Sequence, residues 1–201
     1  MYIGIDLGGT NIAAALVDKS GNIKKRAGIP TDTKDGAQSV INGLITVCEK
    51  LTGEGISPLS IGIGVPGSVI DETGEVSFTP NLPLTGENIT RELREKYACP
   101  LHIGNDANCA ALGEVVAGGA KGAKDVVFIT LGTGVGGGII IGGSLHTGAN
   151  GAAGELGHMV ISSGGRKCGC GRKGCWERYA SASGIIKTAI EFMESHRDSL
   201  M

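Results

Sequence analysis

The sequence predicts an α/β protein of two units, each opening on a strand, a glycine turn and a second strand. Three observations carry this. Short apolar runs alternate with stretches of helical spacing. The pattern Ile5-Asp6-Leu7-Gly8-Gly9-Thr10 followed by Ile12–Val17 returns as Ile129-Thr130-Leu131-Gly132-Thr133-Gly134 followed by Gly138–Ile141. Between the copies, Gly118-Gly119-Ala120-Lys121-Gly122 is small and polar, as a junction should be. The expected division is 1–117 and 118–201, two related domains with a cleft between them.

Taken in order, Tyr2–Asp6 is a short apolar strand. Asn11–Asp18 and Ile23–Ile29 are two more, joined by the turn Lys19-Ser20-Gly21-Asn22. Gly36–Leu51 carries apolar residues at 37, 40, 41, 44, 45, 47, 48 and 51, a helix with one buried stripe. Leu59–Val65 reads as a buried strand stopped by Pro66-Gly67, and Val69–Thr79 as a hairpin turning at Glu72-Thr73-Gly74. Asn88–Tyr97 is a short helix with Ile89, Leu93 and Tyr97 on one side. Strand Leu101–Ile103 and helix Ala107–Val116 close the first unit. In the second, strands Val126–Leu131 and Gly138–Ile141 precede a glycine-rich irregular stretch, Leu145–Gly174, of the kind that binds ligands or is held by metal. Helix Ala182–Ser195 follows, with Ile185, Ile186, Ala189, Ile190 and Met193 expected on its buried face.

The bulk numbers exclude several classes. A net charge of −2 presents no basic surface for nucleic acid, and 3% aromatics leave little for base stacking. The opening Met-Tyr-Ile-Gly-Ile-Asp has no leader character, and the apolar stretch Val126–Ile141 is broken by glycines and too short to span a bilayer. A reducing cytoplasm is the expected compartment. Cys48, Cys99 and Cys109 stand in apolar contexts and read as core; the other three of six cysteines are bunched, which suggests metal rather than disulfides. Glycine, at 36 residues, clusters in turns, where backbone can approach a ligand closely.

Three constellations carry chemistry. The paired glycine turns, Gly8-Gly9-Thr10 and Gly132-Thr133-Gly134, can aim backbone N–H groups at phosphate oxygens. Asp6 stands where it could hold Mg²⁺, directly or through water. Gly62-x-Gly64-x-x-Gly67 fits a dinucleotide fingerprint by letter, yet Pro66 and a hairpin follow where a helix must open; no Walker A lysine is present either. The second constellation is Gly104-Asn105-Asp106-Ala107-Asn108, which places a carboxylate between two amides where a strand gives way to a helix. Such an acid can take a proton from a polyol hydroxyl; alternatively Asn105 or Asp106 caps the helix. The third is Cys168-Gly-Cys170-Gly-Arg-Lys-Gly-Cys175 with His158 upstream, a Cys₃His set suited to a closed structural zinc site. Zinc there would contribute on the order of 10 kcal/mol, coupled to folding. It would hold Gly151–Glu177 in one shape, with Glu155 and Glu177 flanking it and one nitrogen of His158 left for a ligand.

These motifs together resemble the ROK family of sugar kinases and sugar-responsive repressors, most of all its bacterial glucokinases. The matching stretches are Asp6-Leu-Gly-Gly-Thr10, Gly62-Ile-Gly-Val-Pro-Gly67, Pro80-Asn81-Leu-Pro83, Asn105-Asp-Ala-Asn108, Leu131-Gly-Thr-Gly-Val-Gly-Gly137, Gly154-Glu-Leu-Gly-His158 and Cys168-x-Cys-Gly-x-x-Gly-Cys-x-Glu177. The resemblance implies an actin-like, ribonuclease H-like ATPase and sugar-kinase fold, with the second domain incomplete in this chain. It implies ATP and Mg²⁺ at Asp6, Gly8, Gly9, Thr10 and Asn11 and at Gly132, Thr133, Gly134, Val135 and Gly136. It implies Asp106 as general base, and Asn81, Asn105, Asp106, Glu155, His158 and Glu177 as ligands of sugar hydroxyls. His158, Cys168, Cys170 and Cys175 would hold zinc. The implied partners are a hexose, a nucleotide and further copies of the chain as a dimer or tetramer, with neither nucleic acid nor membrane.

The sequence departs from the family in three respects. Leu84-Thr85-Gly86 stands where a tryptophan usually follows Asn81-Leu82-Pro83. No winged helix precedes the first phosphate strand. Complete members are longer, and the absent part would finish the second domain and much of the adenosine pocket. The expected reaction is ATP-dependent phosphorylation of a hexose, glucose first, on its 6-hydroxyl. N-acetylhexosamine, mannose and fructose stay open as substrates, as does polyphosphate as donor. A non-catalytic sugar sensor and a sugar-binding fragment are the alternatives to an enzyme.

Overall fold

The computed structural model describes residues 1–53 and 55–196. The chain divides into two compact units, Met1–Gly122 and Ala123–Met201.

The first unit is built on a five-stranded sheet. Strands β1 (Tyr2–Leu7), β2 (Asn11–Val17), β3 (Ile23–Pro30), β4 (Ser60–Val65) and β7 (Leu101–Asn105) lie in the order β3-β2-β1-β4-β7. The first three are antiparallel, whereas β4 and β7 run parallel to β1. Register brings Ile3, Leu16, Ile61 and Leu101 onto one face, and next to them Ile5, Ala14, Ile63 and Ile103. Helix α1 (Ala37–Thr52) covers that face with Val40, Ile41, Leu44, Val47, Cys48 and Leu51, as its spacing predicted. Gly43 is the point of closest approach, since a Cβ there would stand 2.7 Å from Ile12 Cδ1. A small hairpin of β5 (Ser68–Ile70) and β6 (Glu75–Phe78), then α2 (Arg91–Lys96), closes the end of the core through Val76, Ile89 and Leu93.

On the opposite face, β4 and β7 present glycines in register with Asp6 of β1. Asp6 pairs with Gly64 and Gly64 with Gly104, so two glycines sit in one row across β4 and β7. Helix α3 (Asp106–Ala117) lies on this row. A Cβ on Gly64 would come within 3.4 Å of Asp106 Cα, and one on Gly104 within 2.7 Å of Cys109 Sγ. Cys48 is fully buried as expected, but Cys99, at the margin of the core, and Cys109, between α3 and the sheet, are only partly covered.

The second unit holds a three-stranded antiparallel sheet, β10-β9-β8, from β8 (Val126–Leu131), β9 (Val135–Ile141) and β10 (Ser144–Leu145). Strand β9 begins three residues before the predicted Gly138, because Gly136 and Gly137 pair with Thr130 and Ile129. Gly137 is bare to admit Leu156, whose Cδ1 lies 2.8 Å from the position of a Cβ. The irregular stretch contains a 3₁₀ turn, Leu156–His158, and is followed by α4 (Glu177–Ala180) and α5 (Ala182–Ser195). Ser181 caps α5 by accepting the Gly184 N–H at 3.1 Å.

One expectation fails here. The apolar face of α5 is open: Ile185, Ile186, Ile190 and Met193 are each more than 40% exposed. The helix is instead held by its polar face. The Arg166 guanidinium donates to the carbonyls of Arg178 and Gly184 and to Thr188 Oγ1, pairs with Glu191, and lies 4.7 Å over the Tyr179 ring. Among the described residues no helix is long and apolar enough to cross a membrane.

Candidate active site and metal cluster

The first unit gathers its polar residues at the carboxyl ends of β1, β4 and β7, where open α/β sheets bind ligands. The turn after β1 is closed by Gly8 N–H donating to Asn11 O at 2.9 Å. Thr31, which sequence reasoning passed over, clamps it from just beyond β3: its N–H donates to Thr10 O at 2.8 Å and its hydroxyl to Gly8 O at 2.7 Å. Its neighbour Pro30 ends the strand, which is the signal that could have marked it. A Cβ on Gly9 would stand 3.8 Å from Asn81 Cβ, so Asn81 lies against this turn. Gly67 is not the third glycine of a dinucleotide turn. It has φ 147, and a Cβ would fall 2.1 Å from Phe78 O, so the position needs glycine to let the β5–β6 hairpin pass.

Asn105 does cap α3. Its Oδ1 accepts the Asn108 N–H at 3.1 Å while its Nδ2 donates to Gly67 O at 3.1 Å. The capping alternative therefore holds for Asn105, and it leaves Asp106 free as the first helical residue. The Asp106 carboxylate accepts its neighbour Ala107 N–H at 2.8 Å, and the residue is exposed to solvent. Partial loss of hydration pushes its carboxyl above the ordinary carboxylate range. The Asp6 carboxylate raises it further, while the Ala107 N–H works the other way. Asn108 is buried against the sheet, with Oδ1 unpartnered among the described residues.

In the second unit the turn after β8 is closed by Gly132 N–H donating to Gly134 O at 3.0 Å. Thr133 is exposed at its tip and Gly136 lies partly covered in β9. Glu177 reaches this turn from α4, its Oε2 accepting the Val135 N–H at 3.3 Å. Glu155 lies just before the 3₁₀ turn, with Oε2 3.9 Å from His158 Nε2.

The other nitrogen of His158 faces the cysteines. His158, Cys168, Cys170 and Cys175 each offer a donor atom, all within 4.8 Å of one another. Nδ1 of His158 is 3.5 Å from Cys168 Sγ, and the sulfurs of Cys170 and Cys175 are 3.6 Å apart. Tetrahedral ligands at ordinary zinc–sulfur lengths sit about 3.7 Å apart, so the set fits that ion. Backbone and side-chain hydrogen bonds from Arg172 lower the Cys170 thiol to about 6, whereas burial and the neighbouring thiols raise that of Cys175 to about 11. The loop is shaped by bridges between Val160 and Cys175 and between Lys167 and Lys173. Arg166, two residues before the first cysteine, fastens it to α5; sequence reasoning missed this residue because its partners lie 12 to 25 positions away.

The ROK family model matches residues 2–197. A glucokinase from Halalkalibacterium halodurans is 40% identical over 98% of this chain and 62% of its own. A xylose repressor of Bacillus subtilis is 37% identical over 92% of this chain and 49% of its own. A solved ROK glucokinase of Streptomyces griseus, in complex with glucose and AMPPNP, is 38% identical, with a TM-score of 0.80 over 98% of this chain and 62% of its own. The chain thus spans about three-fifths of the length of the glucokinases it matches.

Proposed function

The chain belongs to the ROK family, and from that premise we propose that it is the larger part of an ATP-dependent hexose kinase acting first on glucose. The observation that carries this reading is Asp106. It is a solvent-open carboxylate held at a strand end by a cap that its neighbour Asn105 supplies, beside Asp6 and the Gly8–Asn11 turn. The likeness to a glucokinase solved with glucose and AMPPNP supports the same choice.

In this reading Asp106 takes the proton from the sugar 6-hydroxyl as that oxygen attacks the γ-phosphorus and the bond to the bridging oxygen breaks, releasing ADP. Its raised pKa makes its carboxylate a stronger proton acceptor than that of an ordinary aspartate. Asn81, Asn105, Glu155, His158 and Glu177 hold sugar hydroxyls. The N–H groups of the turns at Gly8, Gly9, Thr10 and Asn11 and at Gly132 to Gly136 hold phosphate oxygens. Magnesium, when bound near Asp6, offsets charge on the phosphates. His158, Cys168, Cys170 and Cys175 hold structural zinc, and the reduced thiols suit a cytoplasmic setting. Association into a dimer or tetramer belongs to the same reading.

A coupled kinase assay across a panel of hexoses tests it, on this chain and on one extended to the length of its relatives. The extended chain should turn over glucose fastest. This chain should keep sugar binding and lose nucleotide affinity. Failure of the extended chain to phosphorylate any hexose overturns the proposal. The likeness to a xylose repressor supports a second reading, a fold that binds sugar without turning it over; heat of sugar binding with no product would favour it.

A further inference from the structure

We infer that Glu177 is a positioning residue for the second glycine turn as well as a sugar ligand, so that sugar occupancy sets the shape of the turn that receives the nucleoside triphosphate. This rests on the reading of Glu177 as a ligand of sugar hydroxyls.

The segment Glu177–Ala182 grips the turn at both ends. The Ala182 N–H donates to Gly132 O at 2.9 Å, and Glu177 Oε2 accepts the Val135 N–H at 3.3 Å. Gly134 is shaped to the same carboxylate, for a Cβ there would stand 2.6 Å from Glu177 Oε2. Between these grips the N–H groups of Thr133 and Gly134 have no partner among the described residues. The carboxylate therefore holds the shoulder of the turn and leaves its tip for phosphate.

A carboxylate has acceptor positions on both oxygens. With Oε2 on Val135, Oε1 is available to a sugar hydroxyl. A hydroxyl bound there restricts the Glu177 side chain and, through it, the Val135 N–H. The geometry thus gives positive coupling, since both ligands share the cost of ordering one turn. Cys175 stands two residues before Glu177, and its carbonyl accepts the Arg178 N–H at 3.0 Å at the start of α4.

Amide hydrogen exchange on the labelled, zinc-loaded chain, read beside calorimetry with glucose, tests this. Saturating glucose should slow exchange at Val135 roughly tenfold or more. Glu177→Asp keeps the acid but shortens its reach. It should still bind glucose, more weakly, with the slowing at Val135 reduced below about twofold. Heat of glucose binding without any response at Val135 in the parent chain overturns the coupling alone, as does full slowing in Glu177→Asp. Absence of heat with every hexose overturns the sugar-ligand reading and the coupling with it. The parent measurement decides the matter even where the variant does not fold.

Discussion

Nδ1 of His158 lies 3.5 Å from the sulfur of Cys168, while its Nε2 turns to Glu155. The imidazole thus joins the cysteine loop to Glu155 through two different atoms. Zinc analysis of the purified chain should find one equivalent, and Cys175→Ser should bind less than a tenth of it. Chelation should lower the melting temperature and loosen Glu155 and Glu177 together, which side-chain NMR of the two glutamates would detect.

Asp106→Asn should retain glucose affinity and reduce turnover about 10²–10⁴-fold in the extended chain. Unchanged turnover would remove Asp106 from the role of base.

Because the Asp106 pKa is raised in the folded state, its contribution to stability is present at low pH and is lost as pH rises through the folded value. The ionised form is then the costly one, so Asp106→Asn should melt higher than the parent at pH 7, with the gap closing below the ordinary aspartate value. Asp6→Asn should move the Asp106 midpoint down, since Asp6 is one of the groups that raises it. Carboxyl NMR titration reads this without reference to activity.

Asn105→Ala should cost about 0.5–2 kcal/mol by removing the cap of α3, with a further loss from the broken tie to Gly67. Asn105→Asp keeps the acceptor for Asn108 N–H and should recover the cap but not the tie. Thermal melts of the three chains rank them.

Gly157→Ala should be among the worst single changes in the second unit. A Cβ there would fall 2.1 Å from Val135 O, a backbone atom of β9. A loss of about 1–3 kcal/mol is expected, together with reduced zinc content, because the 3₁₀ turn carrying His158 would be pushed off β9.

Much of this was legible in the chain. Period-two runs gave the strands of the first sheet, and the stripe through Val40, Leu44 and Leu51 gave α1 and its buried face. Cysteine and histidine spacing pointed to four residues whose donor atoms the fold brings within 4.8 Å of one another, since a short glycine-rich loop leaves its thiols few places to go. The glycines of β9 were harder: Gly136 and Gly137 look like turn residues by letter, and only pairing with β8 makes them strand. The α5 stripe was legible but its environment was not, because Arg166 anchors the helix by the opposite side. The bond between Glu177 and Val135 spans 42 positions and leaves no local trace.

The bare row across β4 and β7 has a consequence for how this protein can vary. With nothing projecting from Gly64 or Gly104, α3 rests almost directly on main chain, and the place of Asp106 is set by hard contact rather than by adjustable side chains. Such a seat has little slack. A single methyl at position 104 would meet the sulfur of Cys109 and tilt the helix, carrying the acid with it. Drift in this region should therefore be confined to the solvent side of α3, and attempts to retune the acid by remodelling its support should begin at Cys109, where a smaller residue can make room, rather than at the glycines beneath.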